Sequence, residues 1–256
     1  MLVDTHCHFE DEDYQNLASI ISDNLKSSVL KMVVSLCSLE DIKKYIDFDY
    51  DDIIYLTIGY HPEYASFITC DDLIFLKKML KKSKVVGIGE IGLDYHYGKD
   101  NKDKQIWLFE EQLKIASEFN LPVVIHTRDA TMDTINILKK YKIRGIIHCF
   151  SGSLEVAKEY IKMGFYLGIG GVVTFKNSKL KEVLKNISLD HIVLETDSPY
   201  LTPEPYRGKR NSSKYLKEVC LFLASLYDSS CDDIANITTK NAYSLFGFDL
   251  RNKENN

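Results

Sequence analysis

Short apolar runs alternate with longer amphipathic stretches along the whole chain. The runs are rich in Val, Ile and Leu, a composition typical of strands that are buried on both faces of a parallel sheet. Eight such runs begin near Leu2, Val29, Ile53, Val85, Val123, Gly145, Tyr166 and Ile192. The pattern therefore predicts a parallel sheet with one strand at each run.

The stretches between the runs carry apolar residues at helical spacing. Residues 103–119 are the clearest case, and residues 154–163 predict a second helix, which Gly164 would end as a C-cap. Residues 212–227 and 232–246 predict further helices after the last strand. Strands and helices thus alternate, which is typical of the α/β class.

This order of elements predicts a single (β/α)8 TIM barrel over residues 1–250, followed by a polar tail at residues 251–256. No Pro/Gly-rich linker divides the chain, so we expect one domain. An open, doubly wound sheet is the alternative. A dinucleotide-binding sheet of that kind needs a Gly-rich turn after its first strand, and here His6, Cys7 and His8 occupy that place.

Composition and charge narrow the class of protein. The 256 residues carry a formal net charge of −5, so contact with nucleic acid would need local basic groups or bound cations. The six cysteines form no CxxC pair, which favours free thiols in a reducing compartment. The N-terminus lacks a signal-peptide pattern, and no apolar run approaches the roughly 20 residues of a membrane span. We therefore expect a soluble, cytoplasmic protein without membrane contact.

Residues suited to metal binding or proton transfer end most of the predicted strands. Five of the seven histidines lie at such ends. Because the carboxyl ends of all strands in a barrel open on one face, these side chains should meet where barrel enzymes carry out their chemistry. The candidates are His6, His8, His61, Glu90, His126, His148 and Asp197.

Each of these residues alone has a purely structural interpretation. A single buried histidine is most often a hydrogen-bonded core residue, and a carboxylate at a strand end is often a helix cap or an ion-pair partner. His6 and His8 are two apart on a strand, so they share one face and Cys7 takes the other. An isolated His-x-His is a weak signal, but its convergence with the other strand ends predicts a metal site.

Six imidazole and carboxylate ligands exceed what one ion needs. We therefore predict two divalent ions bridged by Glu90, an arrangement suited to activating water and holding a phosphoryl group. Imidazoles suit Zn2+, Mn2+ or Ni2+, whereas oxygen ligands admit Mg2+. One ion would be held by His6, His8 and Asp197, and the other by His126 and His148.

Seven motifs in this chain resemble those of the TatD family of metal-dependent deoxyribonucleases, which are amidohydrolase-like barrels. They run from end to end: DTHCH at 4–8, GYHPE at 59–63, GEIGLDY at 89–95, HTRDA at 126–130, HCFSG at 148–152, ETDSPYLTP at 195–203 and RGKRN at 207–211. The resemblance implies a TIM barrel, two divalent ions with Mg2+ as the usual activator, and hydrolysis of DNA phosphodiesters, typically from the 3′ end of single strands. The metal positions it implies are His6, His8, Glu90, His126, His148 and Asp197.

The chain departs from the family pattern in two places. Glu63 stands where members often have a second histidine after His-Pro, and Ser212 and Ser213 follow RGKRN where members often have Glu-Pro. Both places are expected at the substrate rim. They therefore bear on substrate preference and leave the predicted metal ligands intact.

Three residues near the ligands have open roles. His61 is expected to contact a substrate phosphate or transfer a proton, the alternative being a hydrogen bond to a ligand. Arg128 could bind phosphate through two hydrogen bonds, or pair with a nearby acid. Asp94 could bond to a metal-binding histidine, contact substrate or serve only its loop.

A basic cluster follows the last strand. Arg207, with Lys209 and Arg210, could steer a DNA backbone toward the site, although a run of charges is usually just solvated. Aromatic side chains near the motifs could stack on bases. These are Tyr95, Tyr97 and Tyr200.

The sequence thus predicts a metal-dependent hydrolase that acts on DNA, most simply a 3′–5′ exodeoxyribonuclease that is monomeric. Glu90, Asp197 and His61 would act on a metal-activated water, with Asp197 accepting or delivering a proton. The alternative is an ester or amide hydrolase, such as a D-aminoacyl-tRNA deacylase, because the same barrel chemistry serves both. A non-catalytic metal-binding protein is a third possibility.

Overall fold

The barrel strands lie side by side in chain order. A computed structural model describes residues 1–49, 52–96, 98 and 100–248. Within them, the parallel strands form one eight-stranded sheet ordered β1 to β8, and their starts agree with the sequence prediction to within one residue. The strands are β1 Leu2–Cys7, β2 Val29–Leu36, β3 Ile54–Ile58, β4 Val85–Asp94, β5 Val123–Arg128, β6 Gly145–Ile147, β7 Phe165–Ile169 and β8 Ile192–Leu194. The predicted (β/α)8 barrel is confirmed, and the predicted tail at 251–256 lies outside the described residues.

Helices follow every strand, as the amphipathic stretches predict. In the described part of the chain they are α1 Asp11–Gln15, α2 Leu17–Lys26, α3 Leu39–Tyr45, α4 Cys70–Met79, α5 Lys102–Phe119, α6 Thr131–Leu138, α7 Leu154–Lys162, α8 Leu180–Leu184, α9 Leu216–Leu226 and α10 Cys231–Phe246. Gly164 has a φ of 88°, a left-handed conformation that suits glycine just after α7. The predicted helix at 212–227 is divided, because its first turn, Ser213–Tyr215, is a tighter 3-10 turn. None of these helices is long and apolar enough to cross a membrane.

The interior of the barrel is apolar at the amino ends of the strands. One buried or partly buried side chain from each strand joins a single cluster: Val3, Val33, Tyr55, Val86, Val124, Ile146, Tyr166 and Val193. Phe246 of α10 and Phe248 beyond it pack on the same cluster. This layer fills one end of the barrel, so polar side chains that face inward can gather only toward the carboxyl ends.

The barrel closes where β1 meets the segment after β8. Asp197 N donates to His6 O at 3.0 Å, and His8 N donates to Ser198 O at 2.7 Å. The buried carboxylate of Asp4 accepts from Thr196 N at 3.0 Å and from Thr196 Oγ1 at 2.6 Å. These bonds hold the end of β1 and the end of β8 together, and both ends carry predicted site residues.

Candidate metal centre

A cavity of about 800 Å³ opens at the carboxyl ends of the strands. Most of the predicted site residues line it: His8, His61, Glu90, His126, Arg128, His148 and Asp197. His6 is fully buried, and its Nε2 lies 3.0 Å from Nε2 of His8. The structure therefore brings all six predicted metal ligands, together with His61 and Arg128, to one place.

The inward direction of His6 depends on an irregularity in β1. Strict alternation would put Val3 and His6 on opposite faces of the strand. The register of β1 against β2 shifts between Asp4 and Cys7, so both side chains face the interior. Ser35 Oγ of β2 then lies 3.1 Å from Nδ1 of His6, which fixes the ring with Nε2 toward the cavity.

Glu90 lies between two groups of histidines. Its Oε2 is 3.4 Å from Nε2 of His6 and 3.5 Å from Nε2 of His8. Its Oε1 is 2.7 Å from Nδ1 of His126 and 3.6 Å from Nε2 of His148. The two carboxylate oxygens thus face different imidazoles, which is the arrangement a bridging ligand requires.

Asp197 lies close to three of the same histidines. Its Oδ1 lies 3.5 Å from Nε2 of His8, 3.7 Å from Nε2 of His6 and 3.8 Å from Nε2 of His148. Its φ of 54° is in the left-handed region, which an aspartate tolerates better than most residues. The turn after β8 therefore directs this carboxylate into the cavity.

His126 is held by a second carboxylate. Asp94 Oδ2 is 3.1 Å from His126 Nε2, while Nδ1 faces Glu90. Asp94 itself accepts from His96 N at 2.8 Å. β4 approaches β5 closely here, since a Cβ on Gly92 would lie 1.9 Å from His126 O. Of the open roles for Asp94, the structure favours the bond to a histidine.

Opposite charges shift the titration of the cluster. Burial lowers the pKa of His148, but the nearby carboxylates, Glu195 first, outweigh this effect and raise it to about 10. Burial also lowers the pKa of His126, while hydrogen bonds to Asp94 and Glu90 raise it to about 9. Burial alone would raise the pKa of Glu90, yet the surrounding histidines hold it well below its usual range. Glu90 is therefore ionised, and a divalent ion would take the place of imidazole protons.

His61 and Arg128 occupy the wall of the cavity. His61 Nε2 lies 4.0 Å from Glu90 Oε1, and its other nitrogen, Nδ1, lies 3.4 Å from Glu63 Oε1. Contact with His61 lowers the pKa of Glu63. His61 and Arg128 both line the cavity, where a bound substrate would lie. Glu63, which stands where the family often has a second histidine, lines the same cavity, so this departure from the family pattern lies at the rim.

The basic cluster after β8 is directed elsewhere. The guanidinium carbon of Arg207 lies 3.9 Å from the centre of the Phe175 ring, and its Nη1 donates to Thr202 O at 3.1 Å. Arg207 is not among the residues that line the cavity. Arg210 pairs with Glu10 and Asp13 of the α1 segment. The structure thus does not bring this cluster to the site, and a role for Arg207 in binding stays a prediction.

The aromatic candidates differ in position. Tyr200 is exposed and lines the cavity, with its ring 6.5 Å from that of His8. Tyr95 is buried and its hydroxyl donates to Asp133 at 3.0 Å. Tyr97 lies outside the described residues. Of the two described tyrosines, Tyr200 is therefore the one that is placed to meet a ligand.

Three side chains at the site were missed by the sequence reasoning. Cys37, which follows β2, lies 3.9 Å from Nδ1 of His8, and Ser35 binds the ring of His6. Glu195 is fully buried, with Oε1 3.2 Å from Nδ1 of His148. Cys37 follows the end of a strand and could have been found in the same way as the other candidates. Glu195 is two residues from Asp197, and this spacing could have placed it on the inner face.

The donor set fits divalent metal ions. Among the described residues, three groups have ligand atoms within 4.8 Å of one another and share members: His6, His8 and Glu90; His6, His148 and Asp197; His61, Glu90 and His126. A fourth group comprises His148, Cys149 and Glu195. Imidazole nitrogens and carboxylate oxygens in such numbers are ligands for Zn2+, Mn2+ or Ni2+, and the carboxylates also suit Mg2+.

Comparison with known proteins agrees with this geometry. The family model for TatD-related DNases matches residues 3–247. YabD of Bacillus subtilis, named as an uncharacterized metal-dependent hydrolase, is 44% identical over 96% of this chain and 99% of its own. The crystal structure of YjjV, a TatD homologue from Escherichia coli, superposes with a TM-score of 0.90 at 30% identity, covering 96% of this chain and 98% of that one. A TatD family hydrolase from Entamoeba histolytica shares the fold, with a TM-score of 0.83 at 21% identity over 96% and 97% of the two chains. Sequence, fold and metal-binding geometry thus converge, and the chain belongs to the TatD-related DNase family of metal-dependent hydrolases.

Proposed function

We propose that this hydrolase is a 3′–5′ exodeoxyribonuclease that acts on the ends of single-stranded DNA. The observation that carries the proposal is the position of Glu90, whose Oε2 faces His6 and His8 while its Oε1 faces His126 and His148. Two ions bridged by one carboxylate suit displacement at phosphorus, because such a pair can act on both the attacking and the leaving oxygen. The TatD-related family provides the nucleic-acid substrate class.

The proposal keeps the division of ligands predicted from the sequence. The first ion would be held by His6, His8 and Asp197, the second by His126 and His148, with Glu90 shared. Mg2+ is the activator that the family resemblance implies. The four imidazoles favour Mn2+, Zn2+ or Ni2+, since Mg2+ prefers oxygen ligands, so the working ion is to be identified by experiment.

The side chains have separate tasks in this proposal. Bound divalent ions would supply Lewis acidity and lower the pKa of a water molecule to near neutrality. Asp197, which is ionised, accepts the proton of the attacking water, and once protonated it can deliver that proton to the leaving oxygen. His61 and Arg128 line the cavity and bind the scissile phosphate. Arg207, outside the cavity, would contact the strand farther from the scissile bond.

The test compares metals on one substrate. Protein stripped of metal is incubated with 5′-labelled single-stranded DNA, and Mg2+, Mn2+, Zn2+ or Ni2+ is added back separately. We expect a ladder that shortens from the 3′ end with at least one ion. Glu90→Ala should abolish this shortening, because both ions lose their shared ligand.

Glu182→Ala is the matched control, since Glu182 is exposed on α8 and forms an ion pair with Lys185, away from the cavity. It should shorten DNA at the wild-type rate. Cleavage from the 5′ end or within a circular strand would contradict the exonuclease, and full activity of Glu90→Ala would contradict the two-ion site. Gel filtration and fractionation of the source cells would test the further expectations of a monomer in the cytoplasm.

The rim of the cavity supports a second candidate, an ester or amide hydrolase. Of the described lining residues, Arg128 is the single Lys or Arg, whereas the carboxylates beyond Glu90 and Asp197 are Glu10, Asp41, Glu63, Asp94 and Asp100. Such a wall suits a substrate with a free ammonium group, as in an aminoacyl ester of tRNA. Release of D-amino acids from aminoacyl-tRNA, with no shortening of DNA by any ion, would favour this candidate.

A further inference from the structure

Glu195 is a charged side chain in an unusual place. It lies in the barrel interior, follows β8 directly, and is fully buried. Along this segment, Val193 joins the apolar inner layer and Asp197 reaches the cavity, so the residue between them at two-residue spacing faces inward as well. Burying a carboxylate is costly unless it is paired and hydrogen-bonded. The groups that contact the Glu195 carboxylate therefore indicate its role.

His148 and Cys149, the partners of the Glu195 carboxylate, belong to the segment after β6. Oε1 lies 3.2 Å from Nδ1 of His148 and accepts from Cys149 N at 2.5 Å. The opposite nitrogen of the same ring, Nε2, lies 3.6 Å from Glu90 Oε1 and 3.8 Å from Asp197 Oδ1. The imidazole thus stands between Glu195 behind it and the cavity carboxylates in front.

The neighbouring strand leaves space for this carboxylate. A Cβ on Gly168 would lie 2.2 Å from Glu195 Oε2 and 2.7 Å from Cδ, well inside contact distance. A Cβ on Gly170 would lie 3.2 Å from Glu195 O. That atom belongs to the backbone, so the space for the carboxylate itself comes from Gly168. β7 thus carries glycine where its inner face meets Glu195.

We propose that Glu195 is a positioning residue: its carboxylate, 3.2 Å from Nδ1 of His148, keeps the proton on that nitrogen so that the Nε2 lone pair faces the metal centre, and Gly168 leaves it the space to do so. The inference rests on the proposed two-ion function. A carboxylate behind a metal-binding histidine fixes both its tautomer and its ring orientation, and its loss commonly weakens metal binding by about 10–100-fold. Glu195 should accordingly govern chiefly the ion bound by His148.

Calorimetric titration of the metal-stripped full chain with Mn2+ tests this inference without an activity assay. Wild type should bind in two steps. Glu195→Gln keeps the volume of the side chain but removes its charge, and should weaken one step by about 10-fold or more. Gly168→Ala should weaken the same step, because its methyl group displaces the carboxylate. The double variant should bind no more weakly than the weaker single one, since both changes break the same contact.

Two controls separate positioning from other effects. Cys149→Ser keeps the backbone N–H that binds Glu195 and should titrate as wild type. Glu182→Gln on the exposed face of α8 should do the same. Thermal unfolding of each stripped variant checks the fold, and if Gly168→Ala does not fold, Glu195→Gln still carries the test.

Each other outcome is decisive. Wild-type affinities for both steps in Glu195→Gln would overturn the inference while leaving the two-ion function standing. A weakened or missing step in Cys149→Ser would also overturn it, because His148, Cys149 and Glu195 would then hold an ion of their own. If wild type bound neither Mn2+ nor Zn2+, the proposed metal centre itself would be overturned, and the inference with it.

Discussion

Asp197 combines burial with charge. It contacts three imidazoles through one oxygen, and its side chain is mostly buried. Burial raises the pKa of Asp197, but the positive charge of His148 and the bonds to His8 outweigh it and lower the pKa below its usual value. A carboxylate that stays ionised beside the candidate metal centre is able to accept a proton.

Replacing Asp197 with Asn tests that role. The amide keeps the shape and one oxygen, so a divalent ion should still bind, but it cannot take a proton. We expect turnover to fall by about 10²–10⁴-fold, the range for loss of a general acid–base group. Steady-state cleavage of a labelled oligonucleotide, alongside a Mn2+ titration, separates the two effects. Unchanged turnover with unchanged metal content would exclude Asp197 from proton transfer.

Most residues of the centre could be predicted, since each ends a strand of a barrel whose strands all open on one face. This rule located Glu90, His126 and His148 without any knowledge of their contacts. It could not identify the residues that lie behind the ligands inside the barrel, because their contacts depend on how neighbouring strands are staggered. Glu195 and Ser35 are such residues: Glu195 contacts the ring of His148, and Ser35 contacts the ring of His6.

At the scale of elements, the junction of β1 and β8 holds the centre together. Burial raises the pKa of Asp4 to about 7, while hydrogen bonds from Ser213 and Thr196 act in the opposite direction. Thr196 also supplies a backbone N–H to the same carboxylate. The junction therefore depends on a buried polar network that must stay fully bonded, and His6 and Asp197 lie directly beside it.

Thr196→Val removes both bonds of the hydroxyl, the donation to Asp4 and the acceptance from Ser198 N at 3.3 Å, with little change in volume. The carboxylate of Asp4 would lose its Oγ1 partner at a fully buried position, so we expect a loss of about 1–3 kcal/mol in the free energy of unfolding. Urea denaturation of the metal-stripped protein measures it. Thr239→Val is the control, because it removes an exposed bond to Met1 O and should change stability by no more than about 0.5 kcal/mol. Equal effects would contradict the special role of the junction.

The hydrophobic pattern of the sequence predicted the order of the elements, but it did not predict their local irregularities. The register shift of β1 between Asp4 and Cys7 turns His6 inward, and the alternation of apolar and polar residues does not predict this shift. The 3-10 turn at Ser213–Tyr215 likewise divides a stretch that has continuous helical spacing. Both irregularities lie at the junction of β1 and β8, where the fit between strands outweighs local preference.

On the scale of the whole molecule, charge limits how DNA could bind. The chain carries 32 Lys and Arg against 37 Asp and Glu, and Arg128 is the single Lys or Arg among the described cavity residues. Arg210 is paired with the acids of the α1 segment. Among the described residues, a strand would therefore meet few basic side chains, and most of the attraction for phosphate would come from the bound ions.

Weak dependence on monovalent salt follows from this charge distribution. Each phosphate that a protein cation neutralises on single-stranded DNA contributes about −0.7 to the slope of log affinity against log salt. With Arg128 and Arg207 as the contributing cations, the slope should be about −1.4. Fluorescence anisotropy of labelled oligothymidylate with Asp197→Asn, at fixed saturating Mn2+ and varied KCl, measures it. Arg128→Ala should bring the slope to about −0.7, whereas a slope steeper than about −4 would mean that an extended basic surface, and not the metal centre, holds the strand.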